Sequence, residues 1–181
     1  MIREIAKDFE NGKVKFHKRE ECDLFKGAVD AYLNNQFVTS ANLCATLYEK
    51  IFTTRLANET ANPPGFIRSK ENLREQLDNL LNREIEIIEG QKLPFYKITK
   101  QLVDSGILSK KEKDEYDTFY RDVRNPVAHG LTLRLFEQIM GHPPVHTFEV
   151  DANYEAIFEK IADKFINKIY ELMTVKNFRK Q

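Results

Sequence analysis

Between Phe37 and Asn58 the apolar side chains recur with a helical period. Phe37, Ala41, Cys44, Leu47, Tyr48, Ile51 and Leu56 form one stripe, and Leu43 and Phe52 widen it. A face that broad must be covered from several sides, so the spacing predicts a central helix. The segment "NETANPPGF" follows, and its two prolines and glycine cannot continue a helix. Whatever this chain folds into has to supply partners for that stripe.

Other segments offer them. A short helix is expected over Ile2 to Phe9, stopped by Asn11-Gly12, and another from Glu20 to Leu33 carries Leu24, Phe25, Ala28, Val29 and Tyr32 inward. Ser69 can cap a helix running to Gly90, with Leu73, Leu77, Leu80, Leu81, Ile85 and Ile88 in period. Pro94 suits the first turn of the next helix, where its missing N–H costs nothing, and Gly106 suits a left-handed stop. Ser109 and Glu112 have the spacing of a capping box, and Tyr116, Phe119, Tyr120 and Val123 extend the stripe beyond it. A last helix starts at Asp151, with Ile157, Phe158, Ile161, Phe165, Ile169, Leu172 and Met173 on one face.

Three stretches are less regular. "KVKF" reads as a short strand or an extended arm. Leu131 to Met140 fits helix or strand, and after a turn at Gly141 to Pro144 the alternation in "VHTFEV" suggests a short strand. The expectation is an all-α fold. It is an antiparallel bundle of five to six helices, with room for a short strand or hairpin insertion, in a single domain over 1–181 that no linker divides.

Charge narrows the function classes. Lys+Arg and Asp+Glu each total 28, so the formal net charge is zero and a broad electrostatic track for nucleic acid is excluded. A polyanion site must be local, built from a few positive groups held in place. The two cysteines, Cys22 and Cys44, have no metal-site spacing and read as free thiols in a reducing compartment. The start, "MIREIAKDFENG", has no apolar leader-like run, and no stretch is long enough to span a bilayer. The expected location is the cytoplasm, with no membrane partner.

The stretch that a purely structural helix would not choose is "RDVRNPVAHG", Arg121 to Gly130. A residue before proline is pushed away from the α region, asparagine is a strong N-cap and proline a strong first-turn residue. A break at Asn125-Pro126 is therefore expected. In an unbroken helix, residues five apart point about 140° from each other, whereas a break lets Arg124 and His129 converge. Arginine offers a charged planar fork for phosphate oxygens, and histidine moves protons near neutral pH. Arg121, three residues before Arg124, shares its helical face, and Gly130 allows close approach to the backbone after the histidine. The bland alternative is that Asp117 pairs with Arg121 at i,i+4, Arg124 binds a carbonyl and His129 is half-buried.

The order of a Leu- and Ile-rich helix, the segment "LPFYKITKQLVDSGILSKKEKDEYDTFYRDV" and then "RNPVAHG" resembles the HEPN superfamily, the higher eukaryotes and prokaryotes nucleotide-binding domains. The family signature is an arginine, usually a polar residue next, and a histidine after four to six intervening residues. Here it reads Arg124-Asn125-Pro126-Val127-Ala128-His129, within a HEPN-like core of roughly 20–173. The resemblance implies a metal-independent endoribonuclease without a cofactor, acting on RNA as a homodimer whose two motifs share a cleft. It also implies a toxin or defence effector with an antitoxin or regulatory protein as partner. Catalysis would fall to Arg124, Asn125 and His129, with Arg121 and Gly130 on the substrate side. His129 would move a proton at the 2′-hydroxyl or the leaving oxygen, Arg124 would stabilise the phosphorane, and Asn125 would orient the phosphate or the histidine. The alternative is a non-catalytic HEPN-like dimerisation or nucleotide-binding module. Pro126 and the zero net charge are departures from an open RNA-binding pattern.

Other candidates have simpler readings. His142 and His146 flank "PPV" and read as turn residues rather than metal ligands. Lys110, Lys111 and Lys113 read as a solvated helix start, and Tyr116, Phe119 and Tyr120 as core.

Overall fold

The computed structural model describes residues 1–61, 78–79, 82 and 93–175. All regular structure among them is helical, so the fold is all-α. The elements are α1 (Ile2–Glu10), α2 (Arg19–Leu33), α3 (Phe37–Ala61), α4 (Phe95–Asp104) and α5 (Lys110–Phe119), followed by a π-turn (Tyr120–Arg124), α6 (Asn125–Ala128), α7 (Thr132–Met140), α8 (Thr147–Ala152) and α9 (Tyr154–Val175). The helix expected from Ser69 to Gly90 lies outside the described residues, apart from Asp78, Asn79 and Asn82. Two compact units result, Met1–Tyr48 with Thr118–Gln181 and Glu49–Asp117.

In the first unit α9 is the hub, touching α1, α2 and α7. Its apolar stripe is the reason: Ile157, Ile161, Phe165 and Ile169 are all buried. Phe165 meets Tyr48 of α3 at 6.3 Å and Phe119 at 5.1 Å between ring centroids, both edge-on, and Tyr48 meets Phe119 at 5.1 Å. Edge-to-face aromatic packing at these distances adds to the stabilisation from buried area alone. α2 is tied to α3 by the buried Ser40 hydroxyl, which donates to the Ala28 carbonyl at 2.8 Å.

The second unit contains the C-terminal part of α3 with α4 and most of α5. Phe52 stands edge-on to Phe95 at 4.9 Å and to Tyr116 at 5.2 Å. Asp117 accepts from Thr99 at 2.7 Å and from Lys113 at 2.6 Å. Ser109 and Glu112 form the expected capping box: the Ser109 N–H donates to the Glu112 carboxylate at 2.9 Å, and the Glu112 N–H donates back to Ser109 Oγ at 3.2 Å.

Several expectations are corrected in detail. "KVKF" is no strand but an irregular segment with a bend at Val14, pinned by buried Val14 and by Phe16, whose ring lies 5.2 Å from Phe25 and 6.4 Å from Phe9. "VHTFEV" is not a strand either. Its period-2 alternation does not mark a buried face, since Val145 and Phe148 are exposed and only Val150 is buried. Extended His146 instead begins α8, and the Glu149 carboxylate holds the start of the turn by accepting from Val145 N–H at 3.0 Å. α9 consequently starts at Tyr154 rather than Asp151, and Leu131 to Met140 resolves as a connecting residue followed by helix. Pro94 takes the position before the first turn of α4 rather than within it.

Candidate functional site

The motif lies on a nearly continuous helical path. Asn125 adopts φ −62°, ψ −47°, squarely α, so the break expected at Asn125-Pro126 does not occur. The chain accommodates the proline in another way. Over Tyr120–Arg124 the helix widens into a π-turn, and the Asn125 N–H bonds the Tyr120 carbonyl five residues back. A widened turn displaces the carbonyls that the following proline ring would otherwise strike. Pro126 is then buried near the start of α6. Asn125 is accordingly not an N-cap.

α6 ends at His129 (φ −105°, ψ 7°) in a Schellman turn. Gly130 has φ +63°, its N–H donates to the Val127 carbonyl at 3.2 Å, and the Leu131 N–H donates to the Pro126 carbonyl at 2.8 Å. A Cβ on Gly130 would meet nothing within 4 Å, so within the chain this glycine answers to backbone conformation and not to close approach. α7 starts immediately afterwards at Thr132.

Arg124 and His129 occupy different environments. The Arg124 guanidinium is half-buried and turned inward: Nη1 donates to the Tyr120 hydroxyl at 3.0 Å and to Asn125 Oδ1 at 3.2 Å, and Nε points at the Ala45 carbonyl of α3 at 3.5 Å. It also lies 4.9 Å from the centroid of the Tyr120 ring. His129 is exposed, and no hydrogen-bond partner for its imidazole is found among the described residues. The backbone is helical from Arg124 to Ala128, so the break that was expected to let the two side chains converge is missing. Asn125 is joined to the arginine rather than to the histidine.

Arg121 does not pair with Asp117, whose carboxylate is taken by Thr99 and Lys113. It forks onto its neighbour Asp122, Nε and Nη2 donating at 2.8 and 2.9 Å. Arg134 of α7 approaches the same carboxylate, Nη2 to Oδ1, at 3.6 Å. The hydrogen bonds from Arg121 hold the Asp122 carboxyl below the usual carboxylate range, against the opposing effect of burial and with help from the charges of Arg121 and Arg134. Sequence reading missed Arg134, because its segment was ambiguous between helix and strand and nothing in the spacing linked it to Asp122.

The remaining candidates sit as structural residues. His142 Nδ1 lies 3.0 Å from the Pro143 carbonyl, with its ring edge-on to Phe136, and His146 precedes α8. Tyr116 and Phe119 pack in aromatic clusters, while Tyr120 serves Arg124. Both cysteines are free thiols: Cys44 is buried, with its thiol pushed well up by desolvation, and Cys22 is half-buried. Among the described residues no group of three His, Cys, Asp or Glu could hold a metal ion, and no helix is long and apolar enough to cross a membrane. Comparison of the chain with protein families, with curated proteins and with solved structures found no match.

Proposed function

We propose that this protein is an endoribonuclease of the HEPN kind, cleaving RNA by attack of a ribose 2′-hydroxyl on the adjacent phosphate. One observation carries the reading: the histidine of the Arg-Asn-x3-His motif is exposed at a helix end, with no partner for its imidazole among the described residues, and it follows in sequence an arginine–asparagine pair bonded to each other. The resemblance of the motif and of the helical order around it supplies the reaction. His129 takes the proton of the 2′-hydroxyl or gives one to the departing 5′-oxygen. Arg124 faces the charge that gathers on the phosphorane, and Asn125 fixes the orientation of its guanidinium. The phosphorus gains a bond to the 2′-oxygen and loses its bond to the 5′-oxygen. The products are a 2′,3′-cyclic phosphate and a 5′-hydroxyl, and DNA is inert because it lacks the nucleophile. Because the break that would let Arg124 and His129 converge is missing, the reading places the reaction between two copies of the chain, each bringing its motif to a shared cleft. A toxin or defence role held in check by a partner protein in the cytoplasm belongs to the same reading.

A second reading draws on a different observation. The Arg124 guanidinium already bonds a tyrosine hydroxyl, an asparagine and a backbone carbonyl of α3, which is how an arginine that anchors a helix behaves. On that reading the motif is a structural junction in a non-catalytic helical module that dimerises or binds a nucleotide.

An RNA cleavage assay in the presence of EDTA separates the two. Wild type should cleave and leave 2′,3′-cyclic ends, while His129→Ala, folded to the same melting temperature, should lose about 10²- to 10⁴-fold in rate, the usual worth of a positioned general acid or base. Absence of cleavage by the wild type, or equal cleavage by both, would give the structural junction the better claim.

A further inference from the structure

α8 and the chain just before it present apolar side chains that the core does not use. Val145 is 75% exposed and Phe148 76%, while Val150 is the buried apolar residue of the helix. Tyr154, at the start of α9, lays its ring 4.8 Å from that of buried Phe158 and is itself 38% exposed. Single exposed apolar residues are ordinary on a surface, but these follow one another along one short stretch. They also sit on ordered backbone. The Glu149 carboxylate accepts from the Val145 N–H at 3.0 Å, the Glu149 N–H donates to the His146 carbonyl at 3.0 Å, and Asn153 Nδ2 donates to the Glu149 carbonyl at 2.7 Å. A segment held in this way loses less freedom on binding than a loose loop does.

The charge around these residues is one-sided. Between Arg134 and Lys160 the chain has no lysine or arginine, yet it holds Glu137, Glu149, Asp151, Glu155 and Glu159. The basic side chains of that stretch are His142 and His146 alone. Glu137, Asp151, Glu155 and Glu159 are exposed, and none of them has an ion-pair partner among the described residues. Glu149 and Glu155 suit the starts of their helices, but Asp151 stands in the last turn of α8, where a carboxylate works against the helix dipole. It lies three residues after Phe148 on the same helix, so both belong to one face.

We propose that Val145, Phe148 and Tyr154, with Asp151 and Glu155 beside them, form a docking surface for a basic amphipathic segment of a partner protein. The apolar side chains supply the affinity, as aromatic anchors do once an interface buries them. The carboxylates steer the approach and fix its orientation, pairing with lysines or arginines that flank the partner's apolar residues. The same charges disfavour other occupants. A phosphate backbone or an anionic lipid surface is repelled. A second copy docking face to face about a two-fold axis would set carboxylates against carboxylates. This surface does not depend on the ribonuclease reading.

The test uses the full chain, immobilised, and a phage-displayed library of random peptides about 15 residues long, roughly four turns of helix. Peptides that bind the wild type are counter-selected on Phe148→Ser, a side chain too exposed for the fold to need it. The retained sequences should carry lysine or arginine next to apolar residues at helical spacing. A synthetic fluorescent copy of the commonest one should bind the wild type, and Phe148→Ser should weaken it at least about tenfold at an unchanged melting temperature. Asp151→Asn combined with Glu155→Gln should weaken it about fivefold at low ionic strength, on the scale of surface ion pairs, and should flatten its dependence on salt. Leu33→Ser, which removes an exposed leucine on α2, should change nothing. No enrichment, retained peptides without basic residues, or equal binding by Phe148→Ser would each overturn the proposal. So would self-association of the wild type that Phe148→Ser abolishes in sedimentation, since the occupant would then be a second copy. Binding of phosphatidylserine vesicles that Phe148→Ser abolishes would overturn it in favour of a membrane.

Discussion

At the scale of single residues, the motif region shows how one side chain can answer to two different demands. Gly130 reads as a place where a substrate could come close, yet inside the chain it is the left-handed residue that closes α6, with open space where a Cβ would be. Gly130→Ala therefore meets no steric neighbour, and its cost is the backbone's alone. Chemical denaturation should show a loss of about 1 kcal/mol with an unchanged denaturant slope; a neutral result would mean that the turn relaxes. The i,i+4 spacing that suggested an Asp117–Arg121 pair is real, but spacing along a helix cannot say which of several partners a carboxylate will choose. Asp117 takes Lys113, which is also at i,i+4, together with Thr99 from α4, and Arg121 turns to its own neighbour. Arg124, Asn125, His129, Arg121 and Gly130 were legible as candidates. Arg134 was not, because its place beside Asp122 is a tertiary fact.

Helix boundaries that depend on local chemistry were legible, and those that depend on competition between signals were not. The capping box at Ser109 is local: serine, two intervening residues and glutamate satisfy each other's backbone donors wherever they occur before a helix. Ser109→Ala should cost about 1 kcal/mol, read as a fall in stability with no change in the helical signature at low temperature. No loss at all would show that Glu112 caps α5 unaided. By contrast, two strong local preferences at Asn125-Pro126 called for a break, and the helical path overrode both by widening the preceding turn. The six residues of "VHTFEV" were too few to separate a strand's period from the start of a short helix, and of its apolar residues only Val150 proved to be buried.

For the whole molecule, the fold class followed from apolar stripes that only packed helices can bury, and α3 and α9 bear this out through the burial of Cys44, Leu47, Tyr48, Ile161 and Phe165. The candidate site followed less well, since it depends on which side chains distant elements bring together. The two cysteines give a direct reading of cooperativity. Burial keeps the Cys44 thiol protonated and out of reach, whereas Cys22 is half-buried. Under native conditions iodoacetamide should label Cys22 first, and Cys44 should react only at the rate of unfolding, followed by mass spectrometry across a denaturant series; equal labelling in buffer would show that the bundle opens locally around α3. The π-turn has a bearing on ancestry. It is what a helix does with one residue too many, so a cousin of this chain shorter by one position between Tyr120 and Arg124 would carry an ordinary α-turn there and still present its counterparts of Pro126, Val127 and His129 in the same directions. Insertions and deletions among distant kin should therefore be tolerated at this point without redirecting the residues that follow it.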